Sequence, residues 1–248
     1  MGQVLYRGVG SIVAGPYDDS AGMIKLGNCE VAEFNFSEEE KTLRDYENSG
    51  GGTLASSSLI DKVQLKITMN NRAAANLEKL LRGTATAVAA GSATDEQHKG
   101  WHDTDARIAL DKHINPTSVV VKDVTGVTTY VLNTDYSIDD KGMIQVLSTG
   151  NIADGDALKI SYSYGAHKNL EALTSASVPQ KLVFVGLNLA DGTPVIVKAH
   201  KVKFGPPDKL SLISDDFDKI SVTATVEKDT TITAAGKSQY WAVQQVEA

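Results

Sequence analysis

Residues 59–69 are predicted to form a β-strand, because polar and apolar side chains alternate from Lys62 to Met69 with the two-residue period of a strand. The apolar side chains are Val63, Leu65, Ile67 and Met69. The polar ones are Lys62, Gln64, Lys66 and Thr68. Residues 29–36 and 218–228 show the same alternation. Strands of this kind build an antiparallel sheet with one face on a core and the other in water, so the sequence predicts a mainly β fold.

The composition excludes several classes of protein. The chain has 248 residues and a net charge of −7, and an acidic chain is poorly suited to wrapping nucleic acid, because phosphate binding needs clustered cations. Apolar runs are short, so we expect no membrane insertion by this chain. A single cysteine, Cys29, excludes an internal disulfide and a cysteine-built zinc site. Its place in a strand predicts a buried, unreactive thiol.

The spacing of strands changes in the middle of the chain. Short strand-like segments, separated by turn residues, lie at 119–121, 128–132, 136–138, 143–147 and 158–164. Longer two-faced segments return at 182–189, 195–204 and 218–228, and 239–246 could add a last strand. We therefore predict one β domain, residues 1–83 and 171–248, interrupted by an inserted linker and small β module at 84–170.

Two segments lack strand periodicity. Residues 1–28 are rich in glycine and are predicted to form an N-terminal arm rather than a packed element. Residues 37–58 open with a helix capping-box pattern, Ser37 to Glu40, and continue into glycine and serine runs. We predict a long flexible loop there, and loops of this length are more often functional than idle.

One helix is predicted, from a cap at Asn70 or Asn71 to a stop at Gly83. Its alanines favour helix formation. Its apolar stripe comprises Ala73, Leu77, Leu80 and Leu81. The domain is therefore expected to carry one flanking helix.

The search for chemistry yields little. His98 and His102 could face one metal ion if their segment were helical, but Gly100 interrupts it, so a polar surface segment is the alternative. His113 is isolated, and the aspartates at 215, 216 and 218 are more typical of a turn than of paired catalytic carboxylates. No nucleophile elbow, zinc-protease motif or phosphate loop occurs. We expect no enzyme activity and no catalytic, cofactor or metal site.

Four segments carry a resemblance to a known family. They are residues 25–29 at the end of the arm, 44–52 in the loop, 65–71 at the strand–helix junction, and the module segments 134–138 and 158–164. Together they resemble the major tail tube proteins of long-tailed bacteriophages. The resemblance implies a β-sandwich or barrel with a flanking helix, assembled as hexameric rings that stack into a tube. The inner sheets of each ring join into one barrel through which the genome is delivered into the host cell.

The resemblance also implies partners and a location. The chain would contact itself, the tape measure protein, the tail terminator, and distal tail or baseplate proteins. Double-stranded DNA would pass through the tube transiently. The protein would be made in the host cytoplasm and reside in the virion tail, with the inserted module on the outside.

Residue roles follow from the resemblance together with the alternation. The expected lumen face comprises Glu33, Asn35, Lys62, Gln64, Lys66, Thr68, Ser221, Thr223, Thr225 and Glu227. The expected contacts between rings are Tyr6, Arg7, Arg44, Tyr46, Gly50, Gly51 and Gly52. Cross-strand ion pairs are expected between the two lysines and the two glutamates of the lumen face. The alternative is that this face points elsewhere. The alternative function is a β-rich surface module that recognises protein or carbohydrate.

Overall fold

A computed structural model describes residues 5–47, 49–112 and 116–246. Residues 1–4 of the predicted arm, Asn48 of the predicted loop, and His113 with the start of the predicted module lie outside the described residues. The chain divides into two compact units, Met1–Ala85 with Leu170–Ala248 and Thr86–Asn169. The division falls within two residues of the boundaries drawn from the sequence.

The described residues form fifteen strands and one helix, which confirms the mainly β class. The helix is α1 (Ala74–Leu80). In chain order the strands are β1 (Gly8–Pro16), β2 (Ile24–Lys25), β3 (Cys29–Arg44), β4 (Thr53–Met69), β5 (Thr84–Val88), β6 (Gly91–Lys99), β7 (Thr117–Asp123), β8 (Tyr136–Ile138), β9 (Ile144–Val146), β10 (Ala157–Tyr164), β11 (His167–Glu171), β12 (Gln180–Asn188), β13 (Pro194–Pro207), β14 (Ile220–Val226) and β15 (Trp241–Gln245).

The first unit is built on one antiparallel sheet in the order β2-β1-β12-β13-β14-β4-β3, with β15 paired to β13. The alternation of β4 and β14 is confirmed, because Val63, Leu65, Ile67 and Met69 are buried in the core. Trp241 of β15 stacks on Phe34 of β3 with ring centroids 4.8 Å apart, although β3 and β15 are not paired. The sheet therefore curls over its own core.

The predicted N-terminal arm is wrong for residues 8–16. They form β1, which pairs with β12 along its whole length and buries Ile12 and Ala14 in the core. A Cβ on Gly10 would lie 2.4 Å from the carbonyl oxygen of Val185 and 2.8 Å from the ring of Phe184. Glycine is needed here because the two strands and that ring lie too close for a side chain, so a glycine-rich composition did not mean flexibility.

The predicted loop at 37–58 is also wrong, and so is the helix-cap pattern at its start. β3 and β4 continue as a paired hairpin to Arg44 opposite Thr53, which leaves a turn at 45–52. Gly51 and Gly52 in this turn have positive φ. The strands are exposed on both faces, so no apolar alternation marked them in the sequence.

The helix is shorter than predicted. α1 spans Ala74–Leu80, and Asn71 accepts a hydrogen bond from the backbone N–H of Ala73 in a turn that precedes it. Asn76, which lies inside the helix, donates to the backbone oxygen of Leu26 at 2.8 Å. Leu80 is buried and Leu77 packs against the same core, so the expected apolar stripe is correct at these two positions.

The second unit contains a three-stranded sheet, β6-β10-β7, and a two-stranded sheet, β8-β9. Its own core contains Val121, Ile144, Leu158 and Ile160. The sequence missed β6, and residues 128–132 form isolated bridges rather than the strand predicted there. The strands β5 and β11, where the chain passes between the two units, pair with each other.

Candidate assembly surfaces

The residues expected on the lumen face lie together on the polar side of β3, β4 and β14. Glu33 is opposite Lys66, which is opposite Thr223; the next row is Asn35, Gln64 and Thr225. In a further row the hydroxyls of Thr68 and Ser221 are hydrogen-bonded at 2.9 Å. Lys62 is opposite Ser37 on the same side. Three adjacent strands thus present a continuous polar face.

The ion pairs of this face differ from those expected. Glu227 lies just beyond β14 and bridges Lys201 at 3.0 Å and Lys203 at 2.7 Å, both on β13. Hydrogen bonds from Lys203 and Lys201 lower the pKa of Glu227. Lys62 instead lies 3.6 Å from its neighbour Asp61. Sequence reasoning missed the two β13 lysines, which lie beside Glu227 because Lys203 is opposite Thr225 and the backbone N–H of Glu227 donates to the backbone oxygen of Lys201.

In the part of the chain that the structure describes, the sheet ends on β3 at one side and on β1 with the short β2 at the other, and β15 branches off at β13. In the described residues β3 pairs only with β4, so the outer edge of a sixteen-residue strand carries unpaired backbone groups. At the other edge, β1 pairs with β2 only at Val13 and Ala14. Five antiparallel steps separate β1 from β3, so the two edge strands run in opposite directions. Open edges of this length are templates for pairing with another chain.

The outer part of the β3–β4 hairpin, residues 38–60, is here called the distal hairpin. Its described residues are nearly all exposed, including Leu43, Leu54, Leu59 and Ile60. The expected ring contacts Arg44, Tyr46 and Gly50 to Gly52 lie at its turn, and the side chain of Tyr46 is 83% exposed. A two-stranded hairpin is marginal in water by itself, so packing against a second surface would stabilise this one.

Tyr6 and Arg7, also expected to contact a neighbouring ring, precede β1. Asn188 holds this segment by accepting from the backbone N–H of Arg7 and donating to the backbone oxygen of Leu5. The Tyr6 side chain is 58% exposed. By strand direction, this segment lies at the end of the sheet towards which the distal hairpin points.

The loop between β13 and β14, residues 208–219, is a feature that sequence reasoning treated only as a turn. Its most exposed large side chains are Leu212, Ile213 and Phe217. They fall outside any strand pattern, so alternation could not reveal them. The signal available in the sequence was three large apolar residues among aspartates and serines, where a solvent-exposed turn needs none.

The histidine pair of the second unit does not form a common site. The imidazole of His98 contacts a carboxylate oxygen of Glu96, while the backbone N–H of His102 donates to Asp154. Glu96 also accepts hydrogen bonds from the Tyr162 hydroxyl and from the backbone N–H of Asp111. No group of three or more His, Cys, Asp or Glu side chains in the described residues is placed to hold a metal ion.

The Glu96 cluster is a buried polar network with shifted pKa values. Burial and the Glu96 hydrogen bond raise the pKa of Tyr162 to about 12. Burial raises the pKa of Glu96, whereas hydrogen bonds from Tyr162, Asp111 and His98 lower it. The hydrogen bonds have the larger combined effect, so the pKa of Glu96 is lower than its usual value. Such a network holds residues 96–112 to the β6-β10-β7 sheet.

Cys29 begins β3 and is half-buried. Burial raises the pKa of its thiol, which lowers the fraction of reactive thiolate at neutral pH. The expectation of an unreactive cysteine is consistent with this environment. No helix in the described residues is both long and apolar enough to cross a membrane.

A cavity of about 370 Å³ lies beside α1 in the first unit. Lys79, Arg82 and Gln180 contribute polar groups to its lining. The side-chain oxygen of Gln180 and the Nε of Arg82 are buried without a hydrogen-bond partner among the described residues. Burial lowers the pKa of Lys79. The lining could hydrogen-bond a small polar ligand or a peptide group.

The chain also matches a known family model. The model is described as protein of unknown function UCP028589 and matches residues 5–244, so the chain belongs to that family. No curated protein matches the chain.

Proposed function

We propose that the protein is a structural subunit that assembles into stacked hexameric rings and forms the tail tube of a phage virion. The observation that carries this proposal is the polar face of β3, β4 and β14, which ends at β3, a sixteen-residue strand whose outer edge is unpaired in the described residues. One face of this sheet is buried, the other is exposed to solvent, and its edge is open. Such a sheet is suited to line a channel together with copies of itself.

Strand directions support a closed ring. Rotation about an axis roughly along the strands keeps their directions, so β3 of one copy would meet β1 of the next as an antiparallel pair. Repeating this contact around the axis removes both open edges, and a rotation that closes limits the assembly to a ring. The polar faces then form one inner wall.

The side chains proposed for that wall suit the passage of DNA. They are mainly hydroxyl and amide groups with lysines and glutamates, and few are apolar. The ten residues expected at the lumen include two glutamates and two lysines, so they carry no net charge. Lys201 and Lys203 add positive charge, but both are held by Glu227. Paired lysines attract phosphates less than free ones, because the glutamate offsets part of their charge.

The distal hairpin and the Tyr6–Arg7 segment are proposed to contact the adjacent ring. Both lie at one end of the sheet, and the hairpin exposes apolar side chains that a single copy does not cover. The second unit has a core of its own and is proposed to lie on the outside of the tube. The tape measure protein, the terminator and the distal tail or baseplate proteins remain the proposed partners.

The test is assembly of purified protein, followed by electron microscopy and sedimentation. We expect six-fold rings and tubes from the natural sequence. In a trimmed variant, Asn-Gly replaces residues 42–56, because Lys41 and Ser57 are directly opposite and a two-residue turn can join them. The trimmed protein should fold and form single rings without stacking.

Val127→Asp is the matched control, since this side chain is 84% exposed in a turn of the second unit. It should assemble as the natural sequence does. A natural sequence that stays monomeric at high concentration would overturn the proposal. If the trimmed variant forms as many tubes as the natural sequence, the hairpin does not contribute to the contact between rings.

The alternative, a binding module, is favoured by the cavity beside α1. A binding module would be monomeric. A ligand that binds in this cavity would raise its melting temperature, and Gln180→Ala would reduce that increase. Rings and tubes from the unliganded protein would argue against it.

A further inference from the structure

The β13–β14 loop exposes three large apolar side chains within six residues. Ile213 is 95% exposed, Phe217 is 87% exposed and Leu212 is 85% exposed. Exposed apolar residues on soluble proteins are usually scattered singly, and a cluster of them marks an interaction surface. None of the described residues of the first unit covers these three.

Several contacts hold the loop in place. The Arg72 guanidinium donates to the backbone oxygen of Ser211 at 3.0 Å and lies 3.4 Å from the Asp218 carboxylate. At the end of the loop, Lys219 bridges Glu30 at 2.8 Å. A loop anchored on both sides loses less conformational entropy on binding a partner than a free loop does. Its apolar side chains are therefore preorganised for binding.

The loop and the distal hairpin turn lie at opposite ends of the first unit. Ile220, directly after the loop, is opposite Met69, which is opposite Cys29 at the start of β3. β3 then runs away from the loop for sixteen residues to the hairpin turn. Two uncovered surfaces at opposite ends of one subunit can pair only between copies, and the contact is head-to-tail.

The two surfaces both combine exposed apolar side chains with charged ones. The outer part of the distal hairpin exposes Leu43, Tyr46 and Leu54, with the cations Lys41 and Arg44 and the carboxylates Asp45 and Glu47 among them. The loop presents its apolar cluster next to the carboxylates at positions 215 and 216. Apolar side chains would therefore meet apolar side chains, and Lys41 and Arg44 are the hairpin cations available to the loop carboxylates.

The base of the distal hairpin would not fit the same loop. Glu38, Glu39 and Glu40 are exposed there, and they would face the aspartates of the loop at short range. The outer part carries Lys41 and Arg44 as well as Asp45 and Glu47, so it would meet the loop with less repulsion than the base does. The turn of the hairpin then lies closest to the loop.

We propose that the β13–β14 loop of one copy is the docking site for the outer part of the distal hairpin of a second copy. The inference rests on the proposed function, because it names the surface in the next ring that the hairpin contacts. It adds to that function a receptor, Leu212, Ile213 and Phe217, that the sequence did not indicate.

Cross-linking tests the contact directly. The native Cys29 is first replaced by serine, because it is a free thiol at the loop end of β3 and could itself be cross-linked. In this background the thiols of Leu43→Cys and Ile213→Cys lie at opposite ends of the first unit, so any disulfide between them joins two copies. Mild oxidation of the assembled protein should produce a ladder of covalent oligomers on a denaturing gel. Leu43→Cys with Val127→Cys is the matched control, and it should give no ladder.

Substitution provides a second readout. Ile213→Asp with Phe217→Asp should raise the protein concentration needed for stacking at least about tenfold, since two large side chains lose their burial and negative charge is added. The fold should be unchanged, because both side chains are exposed in the single copy. Val127→Asp should stack at the natural concentration.

The outcomes separate this inference from the proposed function. Tubes from the natural sequence with no ladder and no shift in the stacking concentration would overturn the loop as receptor and leave the tube intact. A ladder without six-fold rings would support the head-to-tail contact and overturn the hexameric tube. Absence of both assembly and ladder would overturn both.

Discussion

The two halves of the β3–β4 hairpin are formed by the same two strands but differ in what supports them. In the inner half, Val63, Leu65, Ile67 and Met69 are buried against β14 and the core. In the distal hairpin, Leu54, Leu59 and Ile60 of the same strand β4 are more than half exposed. Backbone pairing continues through both halves, but the core extends only along the inner half.

The difference shows that strand pairing and burial are separate requirements. The inner half satisfies both within one chain, whereas the distal half satisfies only the first. A hairpin that pairs but does not pack is stabilised by whatever later covers it. In the single chain, the same pair of strands therefore packs against the core in its inner half and leaves its apolar side chains exposed in its distal half.

The largest expected effect comes from applying the same substitution to both halves. Leu65→Ala should lower the free energy of unfolding by about 2–5 kcal/mol, because it leaves a cavity in the core. Leu59→Ala, on the same strand, should change it by less than about 0.5 kcal/mol, since that side chain is 71% exposed. Denaturant unfolding below the assembly concentration measures both. Equal losses would show that the distal half packs within the single chain.

A smaller effect on the free energy of unfolding is expected in the second unit, where polar side chains hydrogen-bond to groups of the same unit. Glu96→Gln should cost about 1–2 kcal/mol, because a charge-assisted acceptor of three hydrogen bonds becomes neutral. Glu39→Gln in the distal hairpin is the exposed control and should be near neutral. Calorimetry of both variants compares them.

The Glu96 effect should also depend on pH. The pKa of this carboxyl is lower in the folded protein than in the unfolded chain, so its contribution is present above the unfolded pKa of about 4.3. The contribution is lost as pH falls through the folded pKa. The gap between the natural sequence and Glu96→Gln should therefore be full at pH 7 and shrink below about pH 4. A gap that grows on acidification would contradict the assigned hydrogen bonds.

The smallest effect is expected on the polar face of the inner half. Thr68→Val removes the hydrogen bond to Ser221 but keeps the shape of a nearly buried side chain. The expected cost is about 0.5–1.5 kcal/mol, the net value of one hydrogen bond. Thr225→Val on the same face is exposed and should cost less. Equal costs at the two sites would mean that the Thr68 bond adds nothing to the stability of the inner half.

Much of this fold was predictable from local patterns. The two-faced strands β4 and β14, the position of the helix, the division into two units and the co-location of the polar lumen candidates all follow from alternation and turn residues. Alternation places side chains on faces, and pairing of two-faced strands brings their polar faces together.

Other features depended on long-range contacts. β1 is a core strand because Val185, Phe184 and Gly186 lie against its glycines, and these residues are far away in the sequence. The distal hairpin is paired although neither of its faces is apolar, so no period marked it. Lys201 and Lys203 reach Glu227 because β13 pairs with β14, which is distant in the sequence, with Lys203 opposite Thr225.

The sequence by itself determined which strands have two faces, because side-chain direction alternates in any extended chain. Only the tertiary structure decided which faces and edges are left open, because that depends on which strands become neighbours. The exposed Leu212, Ile213 and Phe217 and the unpaired edge of β3 are products of that arrangement. Local periodicity contains no information about what a distant strand or a second copy will cover.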